Sequence, residues 1–152
     1  MKKSYGAKKD HEPDAVQSIT EGNPSEVTHA AFIEAAYKGK KKMKPHTERV
    51  GKWLFFVAEK HIDDTWKNVK KAVEHGKLWR AAKSSTAWRS KEDGIYVVCV
   101  YTYDYDDEPD VMRIRAYLRE MGFKRRVPYK SDTQTLTGEY SVNTDGIALY
   151  FA

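Results

Sequence analysis

The sequence predicts an α+β domain, in which helices cover one face of a curved, mostly antiparallel sheet. Residues 61–77 and 106–122 carry an apolar residue at every third or fourth position, which is the period of a helix with one buried face. Residues 52–58 and 94–103 are instead runs of aromatic and β-branched residues, which favour strands. Together with three further predicted strands, these four segments give the order β-α-β-β-α-β-β. We therefore expect one sheet backed by two or three helices.

The composition divides the chain into three parts. Residues 1–24 are polar and charged, with interspersed Gly and Pro, so we expect a flexible tail. Residues 25–50 are predicted to form a short helix, "SEVTHAAFIEAAYKG", capped by Ser25 and ended by Gly39, and then the lysine-rich linker "KGKKKMKPH". Residues 51–152 are predicted to be a single α+β domain, because their length suits one hydrophobic core.

The first half of this domain begins with a strand. "KWLFFVA" is apolar on both faces, which is typical of an interior strand. The helix after it should end at Gly76 and bury a stripe made of Ile62, Trp66, Val69 and Val73. Residues 78–86 are predicted to form the next strand.

The second half begins with "GIYVVCVYTY", the most β-prone segment and the predicted centre of the sheet. The second helix should end at Gly122 and bury Val111, Ile114, Leu118 and Met121. "KRRVPYKSD" and "GIALYFA" are predicted to complete the sheet as short strands.

Composition limits the classes of function. Lys and Arg number 27 against 22 Asp and Glu, so the net charge of +5 permits an anionic partner without requiring one. Cys99 is the only cysteine, which excludes an intramolecular disulfide, and we expect it to be a small buried apolar residue. The sequence has no apolar run near the ~20 residues of a membrane span. We therefore expect a soluble, cytoplasmic protein.

No metal or cofactor site is predicted. The acidic run "DYDDEPD" precedes a helix, where carboxylates cap free N–H groups, and it lacks the spacing of a calcium loop. The five histidines have neither the i, i+4 spacing nor the cysteine neighbours of a zinc site. His46, next to the lysine run, is the histidine we consider for a functional role. Glycine-rich loops of the GxGxxG and GxxxxGK[ST] types are absent.

The segment "GKLWRAAKSSTAWR" is unusual for a predicted core strand because it contains four cations. On a strand such side chains stand out from the sheet, so one set must lie on the face without helices, which we call the open face. Arg80, Lys83 and Arg89, with Lys52 on the neighbouring strand, are therefore predicted to bind phosphate. The tryptophans are predicted to be core residues or to stack on a base, and the candidates for stacking are Trp53, Trp79 and Trp88.

Several blocks of the sequence resemble a known family. "GKWLFFV", "AAKSST", "YVVCVYTYDYDDEPDVMRIRAYLREMG" and "VPYKSDTQTLTGEY" are similar to the family of the basophilic leukaemia-expressed protein, over about residues 50–142. The resemblance implies a fold like that of the cap-binding translation initiation factor 4E. It also implies a likeness to phosphothreonine lyase domains.

The lyase likeness implies roles for individual residues. Lys52 would match the first lysine of the lyases and Lys83 their catalytic base, which removes a proton during β-elimination. Arg89, and later Lys130 or Arg126, would match residues that bind phosphate. Leu54 occupies the position of the catalytic acid, so Tyr129 or a basic residue would have to replace it.

In the cap-binding factor two tryptophans hold a base and a carboxylate binds its edge, roles that Trp79, Trp88 and Glu92 could take here. Together these observations favour a binding module without a cofactor, which holds a nucleotide or short RNA on the open face. One alternative is an enzyme that eliminates phosphate from phosphopeptides. A protein–protein adaptor, docking through the lysine-rich linker, is another.

Overall fold

The computed structural model describes residues 16–132 and 148–152 and has an α+β architecture, as predicted. Seven strands form one open sheet in the order β1-β2-β4-β5-β3-β6-β7, antiparallel except for the β1–β2 pair. The strands are β1 Val16–Ile19, β2 Ala30–Ala36, β3 Gly51–Ala58, β4 Ala81–Ser85, β5 Ile95–Thr102, β6 Pro128–Ser131 and β7 Tyr150–Phe151. The helices are α1 Glu59–Glu74, the four-residue α2 Ala87–Ser90, and α3 Glu108–Glu120.

The two most apolar strands lie at the middle of the sheet, as predicted. β5 pairs with β3 along its whole length, from Gly51 opposite Thr102 to Ala58 opposite Ile95. Its other edge pairs with β4. Since both edges of β5 are hydrogen-bonded and both faces are largely covered, its continuous apolar composition matches its position.

The two long helices pack on the same face of the sheet. The predicted stripe of α1 is buried, and Gly76 follows the helix with a φ of +79°, a conformation that glycine adopts without strain. The acidic run caps α3 as expected, because the Asp107 carboxylate accepts from the Asp110 N–H. Among the described residues, no cluster of His, Cys, Asp or Glu could hold a metal ion.

The helix predicted for residues 25–39 is wrong. Only Pro24–Glu26 forms a single 3-10 turn, and the alanine-rich segment after it is strand β2. β2 lies between β1 and β4, and buries Phe32 on one face and Ile33 on the other. Alanine favours helices in isolation, but pairing with two strands outweighs this weak preference.

Strand β1 lies within the predicted tail, of which residues 1–15 are outside the described part. It pairs in parallel with β2, so residues 16–19 belong to the sheet. At the other end of the chain, β7 fulfils the strand prediction for "GIALYFA", whose first two residues are also outside the described part. In the part of the chain that the structure describes, no helix is both long and apolar enough to cross a membrane.

The sheet separates two unlike faces. One face, with both long helices, forms the core, to which β3 contributes Trp53 and Phe55 and β5 contributes Val98 and Val100. Alternate residues of the same strands point to the opposite face, which we call the distal face. The distal face corresponds to the predicted open face, and it carries Lys83, Lys52 and Cys99.

Candidate functional site

Strand register places the charged residues of the distal face in adjacent rows. Glu34 of β2 is opposite Lys83 of β4, and Lys83 is opposite Cys99 of β5. Lys52 of β3 lies between Tyr101 of β5 and Lys130 of β6. Cross-strand neighbours on one face have Cβ atoms about 5 Å apart, so these residues lie in continuous rows of neighbouring side chains.

Lys83 lies beside small residues and an aromatic ring. Its Nζ atom is 4.1 Å from the centre of the Phe32 ring. On the same strand, Ala81 leaves space next to the lysine side chain. Within the described residues no carboxylate lies at ion-pair distance from Lys83, although Glu34 is its cross-strand neighbour. Its ammonium group is therefore available to an anion.

Two more of the predicted cations lie near Lys83. The guanidinium carbon of Arg89 is 5.0 Å from the centre of the same Phe32 ring. Burial raises the pKa of the Cys99 thiol, and the charges of Lys83, Lys52 and Arg89 oppose that rise. Lys83 and Arg89 thus lie beside one aromatic ring of the distal face. Cys99 itself is buried, as expected.

Lys52 differs from Lys83 because it is buried. Its relative exposure is 1%, and its Nζ atom donates to the Asp132 carboxylate at 2.8 Å. The Nζ atom is also 5.8 Å from the centre of the Tyr101 ring. A buried ammonium group needs such partners to offset its loss of hydration. Lys52 therefore holds Asp132 at the edge of the site.

A cavity of about 510 Å³ opens beside Lys83. This volume falls in the range of small-molecule sites, roughly 300–1,000 Å³. The described residues that line it include one lysine, three carboxylates and three aromatic rings: Glu34, His46, Thr47, Glu48, Val50, Trp79, Ala81, Ala82, Lys83, Tyr101 and Asp132.

Trp79 and His46 form one wall of this cavity. Their ring centroids are 5.1 Å apart in an edge-on arrangement. The Trp79 indole N–H donates to the Lys44 carbonyl at 2.8 Å, which attaches the lysine-rich linker to the start of β4. Trp79 is 3% exposed, whereas His46 is exposed, so His46 presents the more accessible ring.

The segment 46–50 is held over the cavity by the loop that follows β5. The Thr47 hydroxyl donates to the Tyr103 carbonyl, and Arg49 donates to both oxygens of Asp104, at 2.8 and 2.7 Å. These hydrogen bonds from Arg49 hold the pKa of Asp104 below its ordinary value. The ion pair therefore fixes the chain on which His46 and Glu48 lie.

Two residues predicted for the site lie in the core instead. Trp53 is fully buried on the helix-covered face, where its indole N–H donates to the Val111 carbonyl. Tyr129 is also fully buried there, with its hydroxyl bonded to Thr102, and burial raises the pKa of that hydroxyl above its ordinary value. The predictions that Trp53 stacks on a base and that Tyr129 replaces the catalytic acid are corrected, since neither reaches the distal face.

Other predicted residues lie outside the cavity lining that the described residues form. Arg126 lies at the β7 edge, where it donates to the Phe151 carbonyl. Lys130 is a buried neighbour of Lys52 in the register. The remaining three are exposed or half-buried at strand ends and turns: Arg80 before β4, Trp88 on α2, and Glu92 in the turn before β5.

Four charged or aromatic residues of the cavity lining were not considered for the site: Glu34, Tyr101, Asp132 and Glu48. The strand pattern of residues 94–103 could have indicated Tyr101, because it shares a face with Cys99. Glu34 was hidden by the incorrect helix, since its position opposite Lys83 depends on β2 being a strand. Glu48 and Asp132 follow from tertiary contacts, for which the sequence holds no signal.

A comparison with protein-family models shows the family of this chain. The model for "Basophilic leukemia-expressed protein Bles03" matches residues 41–137, more than half of the chain. The matched region contains β3 to β6, the lysine-rich linker after residue 40 and most of the cavity lining. The chain belongs to the family of the basophilic leukemia-expressed protein Bles03.

Proposed function

We propose that this protein is a binding module for a phosphorylated ligand, a nucleotide or a short RNA, in the distal-face cavity. Lys83 is the residue on which the phosphate binds. The observation that carries this proposal is the position of Lys83 and Arg89 beside the Phe32 ring, next to a cavity of about 510 Å³.

The cation arrangement suits a phosphate group. The Lys83 ammonium has an aromatic ring beneath it and no carboxylate partner among the described residues, so a phosphate oxygen can complete its hydrogen bonds. Arg89 approaches the same ring and adds a planar donor group. A hydrogen bond between charged groups of this kind contributes about 1.5–3 kcal/mol.

The other cavity residues suit a base. His46 and Tyr101 offer ring faces, and stacking of a base on an aromatic ring contributes about 1–3 kcal/mol. Glu34 and Glu48 are exposed carboxylates, which accept hydrogen bonds from amino groups on base edges. The carboxylates repel a bare anion, so the cavity favours a ligand that carries an amino-bearing base together with its phosphate.

Calorimetric titration with a panel of mononucleotides and nucleoside triphosphates tests this proposal. Lys83→Met removes the charge and keeps an apolar stem over Phe32, so the fold should persist. We expect a tenfold to hundredfold loss of affinity, which corresponds to about 1.4–2.8 kcal/mol. Lys91→Met is the matched control, because Lys91 is exposed and pairs with Glu59 at the opposite end of the sheet.

The control variant should bind like the wild type. Absence of binding across the panel, or equal binding by the Lys83→Met and Lys91→Met variants, would contradict the proposal. A preference for cytidine, adenosine or guanosine nucleotides over uridine nucleotides is expected from the two carboxylates.

The β-elimination alternative has less support. Leu54, at the position of the catalytic acid, is 6% exposed and opposite Cys99, and neither side chain is a good proton donor. Mass spectrometry on a phosphothreonine peptide distinguishes the two functions. We expect unchanged peptide, whereas a product lighter by the mass of phosphoric acid would favour the enzyme.

A further inference from the structure

A cluster of exposed cations lies at the end of the sheet where β4 begins and α1 ends. We call it the basic end and define it as Lys40, Lys41, Lys42, Lys44, Lys77, Arg80 and Arg113, all of which are exposed. The cavity at Lys83 opens next to the basic end, because Trp79 lines that cavity and lies between Lys77 and Arg80 in the chain.

Contacts between three parts of the chain bring these cations together. The Tyr37 N–H donates to the Arg80 carbonyl at 2.9 Å, and Arg113 donates to the Lys77 carbonyl at 3.3 Å. A Cβ atom added to Gly76 would lie 3.3 Å from Met43, in the middle of the lysine run. The lysine run, the start of β4 and the first turns of α3 therefore form one surface.

Acidic groups offset part of this charge, since Glu74 and the start of α3, with Asp107, Glu108 and Asp110, lie at the same end of the sheet. Glu74 pairs with Lys38, and Asp110 pairs with Arg113, each at 3.1 Å. Within the described residues, Lys40, Lys41 and Lys42 have no carboxylate at ion-pair distance. These three lysines therefore leave a local excess of positive charge in the lysine run of the basic end.

A second cavity lies at the other side of the basic end. It has a volume of about 300 Å³ between α1 and α3, and its lining includes Lys71, His75, Lys77 and Tyr117. Lys77 of this cavity and Trp79 of the first are two residues apart, at most about 7 Å. A basic surface with an aromatic ring at each side therefore joins the two cavities.

We propose that the basic end binds the backbone of a single-stranded polynucleotide, so that the ligand of the Lys83 cavity is one unit of a longer strand. This inference rests on the proposed function and names its substrate class. Phosphates follow the cations of the basic end, and bases enter the two cavities. Sequence-tolerant binding of single strands combines these two features, a cationic path and aromatic rings for bases.

A lipid surface fits the basic end less well. Peripheral membrane binding combines cations with large apolar side chains that enter the lipid. The large exposed apolar residues of the described chain include Phe56 and Ile95, which lie toward the opposite end of β3 and β5. The two cavities also suit the bases of a flexible strand better than they suit a flat membrane surface.

Fluorescence anisotropy with labelled oligocytidylates, from a dinucleotide to about ten nucleotides, tests the inference. A triple variant, Lys40→Ala with Lys41→Ala and Lys42→Ala, removes three cations from an exposed segment. The matched control neutralises three exposed lysines at the opposite end of the domain, Lys60, Lys91 and Lys124. Deoxycytidylates, an acidic peptide and anionic lipid vesicles are measured in parallel.

We expect affinity to rise with strand length in the wild type. The triple variant should lose at least tenfold in affinity for the longest strand, and its log–log salt dependence should weaken by about 2. The control triple variant should retain both. Calorimetry with a mononucleotide should give the same affinity for the triple variant and the wild type.

Binding of RNA alone or of both RNA and DNA supports the inference, since the backbone phosphate is common to them. Equal affinity for a mononucleotide and for the longest strand overturns it, as does an unchanged triple variant. Lysine-dependent binding to the vesicles or the acidic peptide, without a gain from strand length, overturns it in favour of those partners. These outcomes differ from failure of the proposed function, which is a loss of Lys83-dependent mononucleotide binding.

Discussion

Lys83 and Lys52 lie on the same sheet face and yet have different surroundings. Lys83 is half-buried beside a cavity, over the Phe32 ring. Lys52 is buried and paired with Asp132. The carboxylate stabilises Lys52 within the fold, whereas Lys83 has no such partner among the described residues. Function at Lys83 and stability at Lys52 can therefore be separated by mutation.

We predict that removal of the two members of the Lys52–Asp132 pair has unequal effects. Asp132→Ala takes the carboxylate from a buried ammonium group and should lower the free energy of unfolding by about 3 kcal/mol, the low end for a buried pair, because Asp132 is partly exposed. Lys52→Met should cost less, because methionine fills similar space and the half-exposed Asp132 side chain can hydrate. Urea denaturation of both variants measures the difference. Equal losses would contradict the view that burial of Lys52 makes the pair important.

At the scale of the elements, the site depends on a loop held against the sheet. Arg49 joins segment 46–50 to Asp104, and the Tyr105 N–H donates to the Arg49 carbonyl at 2.7 Å. The Asp107 carboxylate accepts from the Tyr103 hydroxyl, which lowers the pKa of Asp107 and raises that of Tyr103 to about 12. The loop after β5 thus supports both the wall of the cavity and the start of α3.

The Arg49–Asp104 pair should make stability depend on pH. The pKa of Asp104 is lowered from its ordinary value of 3.8, so the unfolded chain binds its proton more readily. The stabilisation is complete above pH 3.8 and is lost as the pH falls through the lowered pKa of the folded state. Such a titration spans roughly pH 5 to pH 2. Over this range the Asp104→Asn variant should therefore lose less stability than the wild type.

Urea denaturation at a series of pH values measures this slope. The same variant should bind nucleotides severalfold more weakly at neutral pH, because His46 and Glu48 lose a support. An unchanged pH slope would show that the pair contributes nothing to stability, and an unchanged affinity would show that the segment 46–50 does not need it.

Strong local patterns predicted most of the elements correctly. The helices and central strands have long, regular apolar periods, and Gly76 and Gly122 have the positive φ values expected after helices. β2 was missed because "AAFIEAA" has the composition of a helix, and its pairing with β1 and β4 decides its conformation. The sequence also did not show which face of the sheet Trp53 and Tyr129 occupy. Strand register decides this, because it fixes the face of every residue along a strand.

At the scale of the whole molecule, the residues that stabilise the fold and the candidate binding residues lie on opposite faces of the sheet. The core lies between the sheet and the two long helices, and the candidate site lies on the distal face and around one end. Changes at Lys83 or in the lysine run should therefore leave the core intact. The position of the cations also matters for binding, because the basic end brings seven exposed cations together outside the core.

Ligand binding should stabilise the whole domain. At a nucleotide concentration about 100-fold above Kd, the native state gains about 2.7 kcal/mol. For a domain of this size, that gain raises Tm by about 5–10 °C. Thermal unfolding of the wild type and of Lys83→Met with and without nucleotide measures the effect. A similar rise in both proteins would place binding away from Lys83.

A crystal structure of the protein with the tightest nucleotide of the panel tests the central claim most directly. We predict a phosphate oxygen at about 2.7–2.9 Å from the Lys83 Nζ atom. We also predict that the base contacts His46 or Tyr101 within the cavity. A nucleotide bound elsewhere, with Lys83 in contact with solvent alone, would contradict the account.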